Sequence, residues 1–347
     1  MRYLTNNSTD PYFNLAFDEY CLENVISEEP YFFLWRNRPS VIIGLNQNAY
    51  SEVNLPYLES HGITLARRVT GGGAVYHDLQ NLNYTIIGRR TDESRSLSAL
   101  PRSLSALPRP LSGAEGWFDS AHQPSPIVNA LHRLGVPAEL TGRNDIFVEG
   151  RKVSGYARRV SRNQEIIHGT LMYDVDIDTL TNVLDAPGSK MQAKGIGSVR
   201  SRVANLKDYL PGFKSLDEVQ AALQEILSDG DGPMDFPEDG LDRVREMRDG
   251  KFSTWEFIYG HSHEADLVRK AKLPCGTVEA AICLDRGVIK DLAFSGDYIF
   301  DEPVDGLAEA LTGCRFERFA VAEALGSVQV SSFFRDCSAT DMLDLLF

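Results

Sequence analysis

The sequence predicts a mixed α/β (α+β) chain in two parts. A large domain with a mixed, mostly antiparallel sheet is expected over 1–263, and a small α+β domain over 264–347. Three observations carry this. At 347 residues the chain is long for a single core. Its N-terminal part interleaves helical and strand patterns without the regular βαβα alternation that a doubly wound parallel sheet requires. Its character then shifts after residues 228–240, a stretch rich in Gly, Pro and acidic side chains that reads as an exposed loop.

The elements follow in order. Asp10-Pro11 opens a helix in which Phe13, Phe17, Tyr20 and Cys21 recur at helical spacing, with Ala16 on the same side. Residues 32–35 and 40–44 read as short buried strands separated by Arg38-Pro39, and 83–87 as another. Within 91–118 the heptamer SLSALPR stands twice in tandem, followed by a partial third copy. Pro101, Pro108 and Pro110 forbid a continuous helix there, so the segment reads as an expanded surface insertion with little fixed structure. Residues 127–134 form a helix ending at Gly135. Strands are expected over Asp145–Val148, 152–157 and 169–175. Residues 277–299 alternate like strands around the hairpin turn Asp285-Arg286-Gly287. Leu307 and Leu311, Ala320 and Ala324, and Met342, Leu345 and Leu346 mark short helices.

A hydrophobic content of 43% suits packed globular structure, and a net charge of -14 argues against a nucleic-acid surface. It leaves room for an anionic small molecule in a local Arg/Lys pocket. No run approaches the roughly 18 apolar residues of a membrane span. The opening MRYLTNN lacks a basic stretch leading into an apolar core, so no secretory signal is expected. Cys21, Cys275, Cys283, Cys314 and Cys337 are widely spaced with no CxxC pair, as expected of reduced thiols in a cytoplasmic protein.

Two motifs carry chemistry. The first is RRVTGGGAVYHD, 67–78. Gly71, Gly72 and Gly73 let backbone approach a charged ligand with no side chain in the way. Arg68 adds a planar, permanently charged fork. Ala74, Val75, Tyr76 and His77 read as a strand entry whose N–H groups could hold a phosphate or acyl oxygen. No Gly-Lys-Ser/Thr follows, which excludes a P-loop. A glycine triplet alone is ordinarily turn punctuation. The second motif is DIFVEGRKVSG. A two-residue turn at Glu149-Gly150 sets Val148 opposite Arg151 and Phe147 opposite Lys152. Alternation then projects Asp145, Phe147, Lys152 and Ser154 from one face. An exposed cross-strand ion pair worth about 0–1 kcal/mol would account for the same pattern. His168 ordinarily reads as a hydrogen-bonded structural residue, and Tyr156, Arg158 and Arg159 as a surface cluster. Lys194, Arg200 and Arg202 form a basic stretch that could dock an acidic protein.

Taken in order, RRVTGGGAVYHD, TGRNDIFVEGRKVSGYARR, HGTLMYDVDID and KGIGSVRSRVANL resemble lipoate–protein ligase. DPYFNLAFDEY, LWRNRPSVIIGLNQN, KFSTWEFIYG and the region from GTVEAAICLDRG to the end fit as well. The resemblance spans nearly the whole chain outside 91–118. It implies a large mixed-sheet catalytic domain similar to that of biotin–protein ligases, with a small C-terminal accessory domain. The implied reaction joins lipoate and ATP to lipoyl-AMP, then passes the lipoyl group to an acceptor lysine. Acceptors would be lipoyl domains of 2-oxoacid dehydrogenase E2 subunits and the glycine-cleavage H protein, with no nucleic acid or membrane partner and a monomer in the cytoplasm. The family's essential lysine falls on Lys152. Arg68 and Gly71, Gly72, Gly73, Ala74, Val75 and Tyr76 would hold the adenylate, His77 the acyl end, and Asp145 the Mg2+. Ser154 and Gly155 would lie near the nucleotide, and Trp35 and Val41 would wall the acyl chain. The chain departs from the family in its 91–118 insertion and in HSHE at 261–264, where a Ser-Pro pair is usual. An octanoyltransferase of the same superfamily, working without ATP, would use a cysteine nucleophile; in one branch it follows the HGT-type strand, and none stands between 174 and 197. A biotin ligase would carry a GRGRRG-like motif, also absent. A lipoate-binding protein without turnover is the remaining alternative.

Overall fold

The structure, a computed structural model, describes residues 1–89, 124–141, 144–161, 164–184, 202–260 and 265–347. The repeated insertion, Lys194, Arg200 and the 261–264 stretch lie outside the described residues. The strands are β1 (Arg2–Tyr3), β2 (Tyr31–Trp35), β3 (Ser40–Ile43), β4 (Thr64–Arg67), β5 (Val75–His77), β6 (Asn81–Arg89), β7 (Ala138–Thr141), β8 (Asp145–Val148), β9 (Arg151–Ser161), β10 (Gln164–Met172), β11 (Leu267–Leu273), β12 (Gly276–Asp285) and β13 (Val288–Gly296). They fall into two compact units, one from Met1–Ser40, His77–Thr181 and Ala193–Arg248, the other from Val41–Tyr76, Asn182–Gln192 and Asp249–Phe347.

The first unit is built on a seven-stranded sheet, β1-β2-β6-β10-β9-β8-β7. Only β1 and β2 pair in parallel; the remaining neighbours are antiparallel. The sheet is thus mixed and mostly antiparallel, as expected. Alternation assigns its two faces. Leu34, Leu82, Tyr84, Ile86, Ile146, Val148, Ile167 and Leu171 share one buried core with residues of the Ser125–Arg133 and Leu216–Ser228 helices. The opposite face carries Phe33, Thr85 and His168 beneath the Pro11–Asn24 helix, whose Phe17 ring meets Phe33 edge-on at 5.0 Å. Pro11 at the first turn and an Asp10 side chain accepting from the Tyr12 N–H start that helix where the sequence indicated. The Leu216–Ser228 helix was not anticipated. Its signals were present in the Ser215 cap and in Leu216, Val219, Leu223 and Leu227, all buried at helical spacing.

The second unit contains two three-stranded sheets, β4-β3-β5 and β11-β12-β13. Arg286 and Gly287, with φ of 50° and 79°, make the tight β12–β13 turn expected at Asp285-Arg286-Gly287. The Asp305–Leu311, Arg318–Gly326 and Ala339–Leu346 helices share one core with this sheet; the first and third bury Leu307, Leu311, Met342, Leu345 and Leu346 as expected, whereas the second buries Val321 and Leu325 rather than Ala320 and Ala324. Among the described residues no helix is long and apolar enough to cross a membrane.

Candidate active site

In the first unit, Glu149 and Gly150 adopt left-handed conformations, φ 50° and 75°, and close the β8–β9 hairpin. Phe147 pairs with Lys152 and Val148 with Arg151, as the two-residue turn required. A register shift between Ile146 and Phe147 then sets Ile146 opposite Ser154 and Asp145 opposite Gly155. This corrects one expectation. Ser154 does not project beside Lys152; the bulge turns its fully buried side chain to the core, where it lies with the Tyr84 hydroxyl. Asp145 and Lys152 do meet. Lys152 Nζ lies 2.7 Å from Asp145 Oδ1, and both side chains remain partly exposed, 34% and 27%. The ammonium lies over bare backbone: a Cβ on Gly155 would fall 3.0 Å from Lys152 Nζ. Residues 202–204 brace this strand, since the Lys152 N–H donates to the Arg202 carbonyl and the Ala204 N–H to the Lys152 carbonyl.

The same sheet face continues across the neighbouring strands. Gly155 donates its N–H to Thr170 Oγ1, Thr170 pairs with Asn83, and Asn83 pairs with Trp35. Asp145, Gly155, Thr170, Asn83 and Trp35 therefore form one transverse row. Beside it runs a buried chain of hydrogen bonds. Trp35 Nε1 donates to Thr85 Oγ1 (2.9 Å), which donates to Asp18 Oδ1 (2.7 Å), while Asp18 Oδ2 holds His168 Nδ1 at 2.6 Å. His77 stands next to Trp35 with its Nδ1 3.0 Å from Asn37 Nδ2, a contact in which the amide donates. Sequence reasoning missed Asp18, Thr85, Asn81 and Asn83. The signal for the last three was the alternation in Asn81-Leu82-Asn83-Tyr84-Thr85, which puts three polar side chains on one face of a buried strand.

The glycine segment belongs to the second unit. Gly72 has φ 92° and donates its N–H to the Tyr298 carbonyl, and a Cβ on Gly71 would meet that carbonyl oxygen at 2.5 Å. Close packing thus demands a glycine at 71, and the left-handed φ favours one at 72. Arg68 donates to the carbonyls of Ile42, Gly71 and Gly73 and to Thr70 Oγ1, so it braces the loop from within. Arg67, fully buried, donates to the carbonyls of Gly44, Leu45, Gln47, Phe257 and Ile258. Burial lowers both guanidinium groups to about 10. Val41 is buried in the same unit, where Ala74, Val75 and Tyr76 lead into β5. Lys152, Asp145, Gly155 and His77 thus belong to the first unit, and Arg68 through Tyr76 to the second.

Comparison with known proteins supplies the context. Residues 10–228 match the lipoyl protein ligase A/B catalytic domain, and residues 262–346 the bacterial lipoate protein ligase C-terminus. The chain is 34% identical over 346 residues to the lipoate-protein ligase LplJ of Bacillus subtilis, covering 98% of each. Among solved structures it is similar to a bipartite lipoate protein ligase with its E2 lipoyl domain from Thermoplasma acidophilum. That match has a TM-score of 0.60 and 30% identity and covers 77% of this chain and 98% of that one. It is also similar to a lipoate-protein ligase A bound with ATP, with a TM-score of 0.57, 29% identity, and 75% and 99% coverage.

Proposed function

Since the chain belongs to the lipoate–protein ligase family, an ATP-dependent family of enzymes, we propose that it activates free lipoate as lipoyl-AMP and transfers the lipoyl group to a lysine of an acceptor domain. The observation that carries this reading is the Lys152 ammonium, partly exposed above the bare backbone of Gly155 and paired with Asp145. Bringing a carboxylate onto the α-phosphate of ATP sets two anions together. A fixed cation beside backbone with no side chain offsets that repulsion. In this reading Lys152 is catalytic, Gly155 and the main chain of Ser154 lie against the nucleotide, and His77 lies toward the acyl end beside Trp35. Arg68 and Gly71 to Tyr76 supply the adenylate loop, with Arg68 fixing its shape through the Gly71 and Gly73 carbonyls. Asp145 would hold Mg2+, a role that suits a partly exposed single carboxylate, because the phosphates and water complete such a shell. The ion would neutralise phosphate charge.

The same reading divides the chain into a catalytic domain over 1–263, with the insertion at 91–118, and an accessory domain over 264–347. The acceptors are lipoyl domains of 2-oxoacid dehydrogenase E2 subunits and the glycine-cleavage H protein, modified by a cytoplasmic monomer. An ATP-independent transferase would need a reactive thiol. Cys21, the cysteine of the first unit, is fully buried and desolvation pushes its thiol well up, away from the thiolate that such chemistry uses. The test is lipoate-dependent exchange of pyrophosphate into ATP, which isolates the first step. The unsubstituted chain should support it, and Lys152→Ala should lower it by two orders of magnitude or more, a loss of roughly 3 kcal/mol in transition-state stabilisation. Exchange at an undiminished rate in Lys152→Ala would remove the lysine from its role.

A further inference from the structure

On the face of the first unit that bears Lys152, two buried polar atoms of β6 meet no hydrogen-bond partner, the acceptor Asn81 Oδ1 and the donor Asn83 Nδ2. Asn83 is 1% exposed, and its side-chain Nδ2 meets no hydrogen-bond partner. Its orientation is set from the other side, because Asn81 Nδ2 donates to Asn83 Oδ1 at 2.9 Å. Asn81 engages Asn83 through its Nδ2 and not through its unpartnered Oδ1, and the polar groups farther along the row are paired. The Trp35 indole donates to Thr85, Thr85 to Asp18, Asp18 holds His168, and the Thr170 hydroxyl meets the backbone of Gly155. A buried amide N–H with no acceptor is costly and calls for one from outside the protein.

The position in the row says which acceptor. Gly155, under the Lys152 ammonium, lies on β9; Thr170 lies on β10 and Asn83 on β6, so two strand spacings, roughly 10 Å, separate Asn83 from the cation. Beyond Asn83 the row ends at Trp35. A carboxylate seated at Lys152 lies too far away to reach Asn83. What reaches it is the distal end of an extended acid of lipoate's length. That end is a dithiolane, whose sulfur lone pairs are weak acceptors, and in a saturated fatty acid of equal reach it is hydrocarbon, which accepts nothing. We infer that Asn83 is a specificity-determining residue that donates Nδ2–H to a dithiolane sulfur and so selects lipoate over octanoate. The assignment rests on the ligase reading above and names which acid that site prefers.

The experiment compares lipoate with octanoate in pyrophosphate exchange, using the full chain and its Asn83→Leu, Asn83→Ala and Asn83→Ser variants. The ratio of kcat/KM for lipoate to that for octanoate should fall about tenfold in Asn83→Leu and Asn83→Ala, the scale on which single contacts discriminate substrates. Asn83→Ser, which keeps a donor, should retain part of the ratio. Lipoate should also raise the melting temperature of Asn83→Leu less than that of the unsubstituted chain, which reads the contact without turnover. An unchanged ratio overturns the assignment. Equal losses for both acids would put Asn83 at the shared carboxyl end, and no loss for either would leave the amide to a buried water. If the unsubstituted chain exchanges pyrophosphate with neither acid, the ligase reading falls and takes the assignment with it, whereas an unchanged ratio removes the assignment alone.

Discussion

At the residue scale, the polar face of the seven-stranded sheet depends on Asp18. Its carboxylate is 1% exposed and answers both the Thr85 hydroxyl and His168 Nδ1. Asp18→Ala removes both acceptors at once and leaves buried donors unsatisfied. The expected loss is about 3 kcal/mol, read from urea unfolding monitored by circular dichroism, and lipoate-dependent exchange should fall with it as Trp35 and His168 lose their fixed orientation. Gly169 makes a sharper steric case on the core face. A Cβ there would collide with the Tyr84 hydroxyl, which is itself fully buried. Gly169→Ala should therefore cost about 1–3 kcal/mol, whereas Gly150→Ala, where nothing stands in the way, should cost only the strain of its φ of 75°. Equal costs at the two sites would refute the packing argument.

At the scale of elements, the short Ala49–Glu52 helix carries a titrating group with a defined sign. Burial first, and then the nearby Asp297 carboxylate, raise the Glu52 carboxyl above its ordinary value, although Gln47 Nε2 donates to it at 2.8 Å. A carboxyl raised on folding costs stability once charged, so this part of the stability is regained as pH falls through the folded-state value. Glu52→Gln should raise the urea midpoint at pH 7, and the difference should vanish near about pH 4, below the ordinary carboxylate value. A gap that persists at acid pH would deny the charge as its cause. The Ala339–Leu346 helix offers a second check. Ser338 and Asp341 form a reciprocal capping box at its start, and the hydrogen bonds from Ser338 hold the Asp341 carboxyl below its usual range. Ser338→Ala should cost about 1 kcal/mol in thermal unfolding.

At the scale of the whole molecule, the division of the chain is itself testable. Residues 41–76 cluster with 249–347, and within that unit Gly72 donates to the Tyr298 carbonyl and Gly296 to the Asn46 carbonyl. A chain ended after residue 263 should show faster amide exchange across 41–76, with the β6, β9 and β10 amides still protected; unchanged exchange in 41–76 would mean that segment stands without its partner. Much of this architecture was legible beforehand. The Asp10-Pro11 helix start, the strand Asp145–Val148, the Glu149-Gly150 turn and the Asp285-Arg286-Gly287 hairpin rest on local rules of φ, capping and alternation, which short stretches of sequence carry in full. The Lys152–Asp145 pairing followed from those rules too. What they could not supply was the bulge at Ile146/Phe147, which sends Ser154 to the core. Nor could they supply the long-range pairing of β6 with β2 and β10 that lines up Asn83, Trp35 and Thr170. The sequence by itself determined which residues could carry charge beside bare backbone, because backbone freedom and side-chain chemistry are local properties. Only the tertiary structure decided which polar atoms are buried and which of them find partners, because burial and pairing arise between strands far apart in the chain.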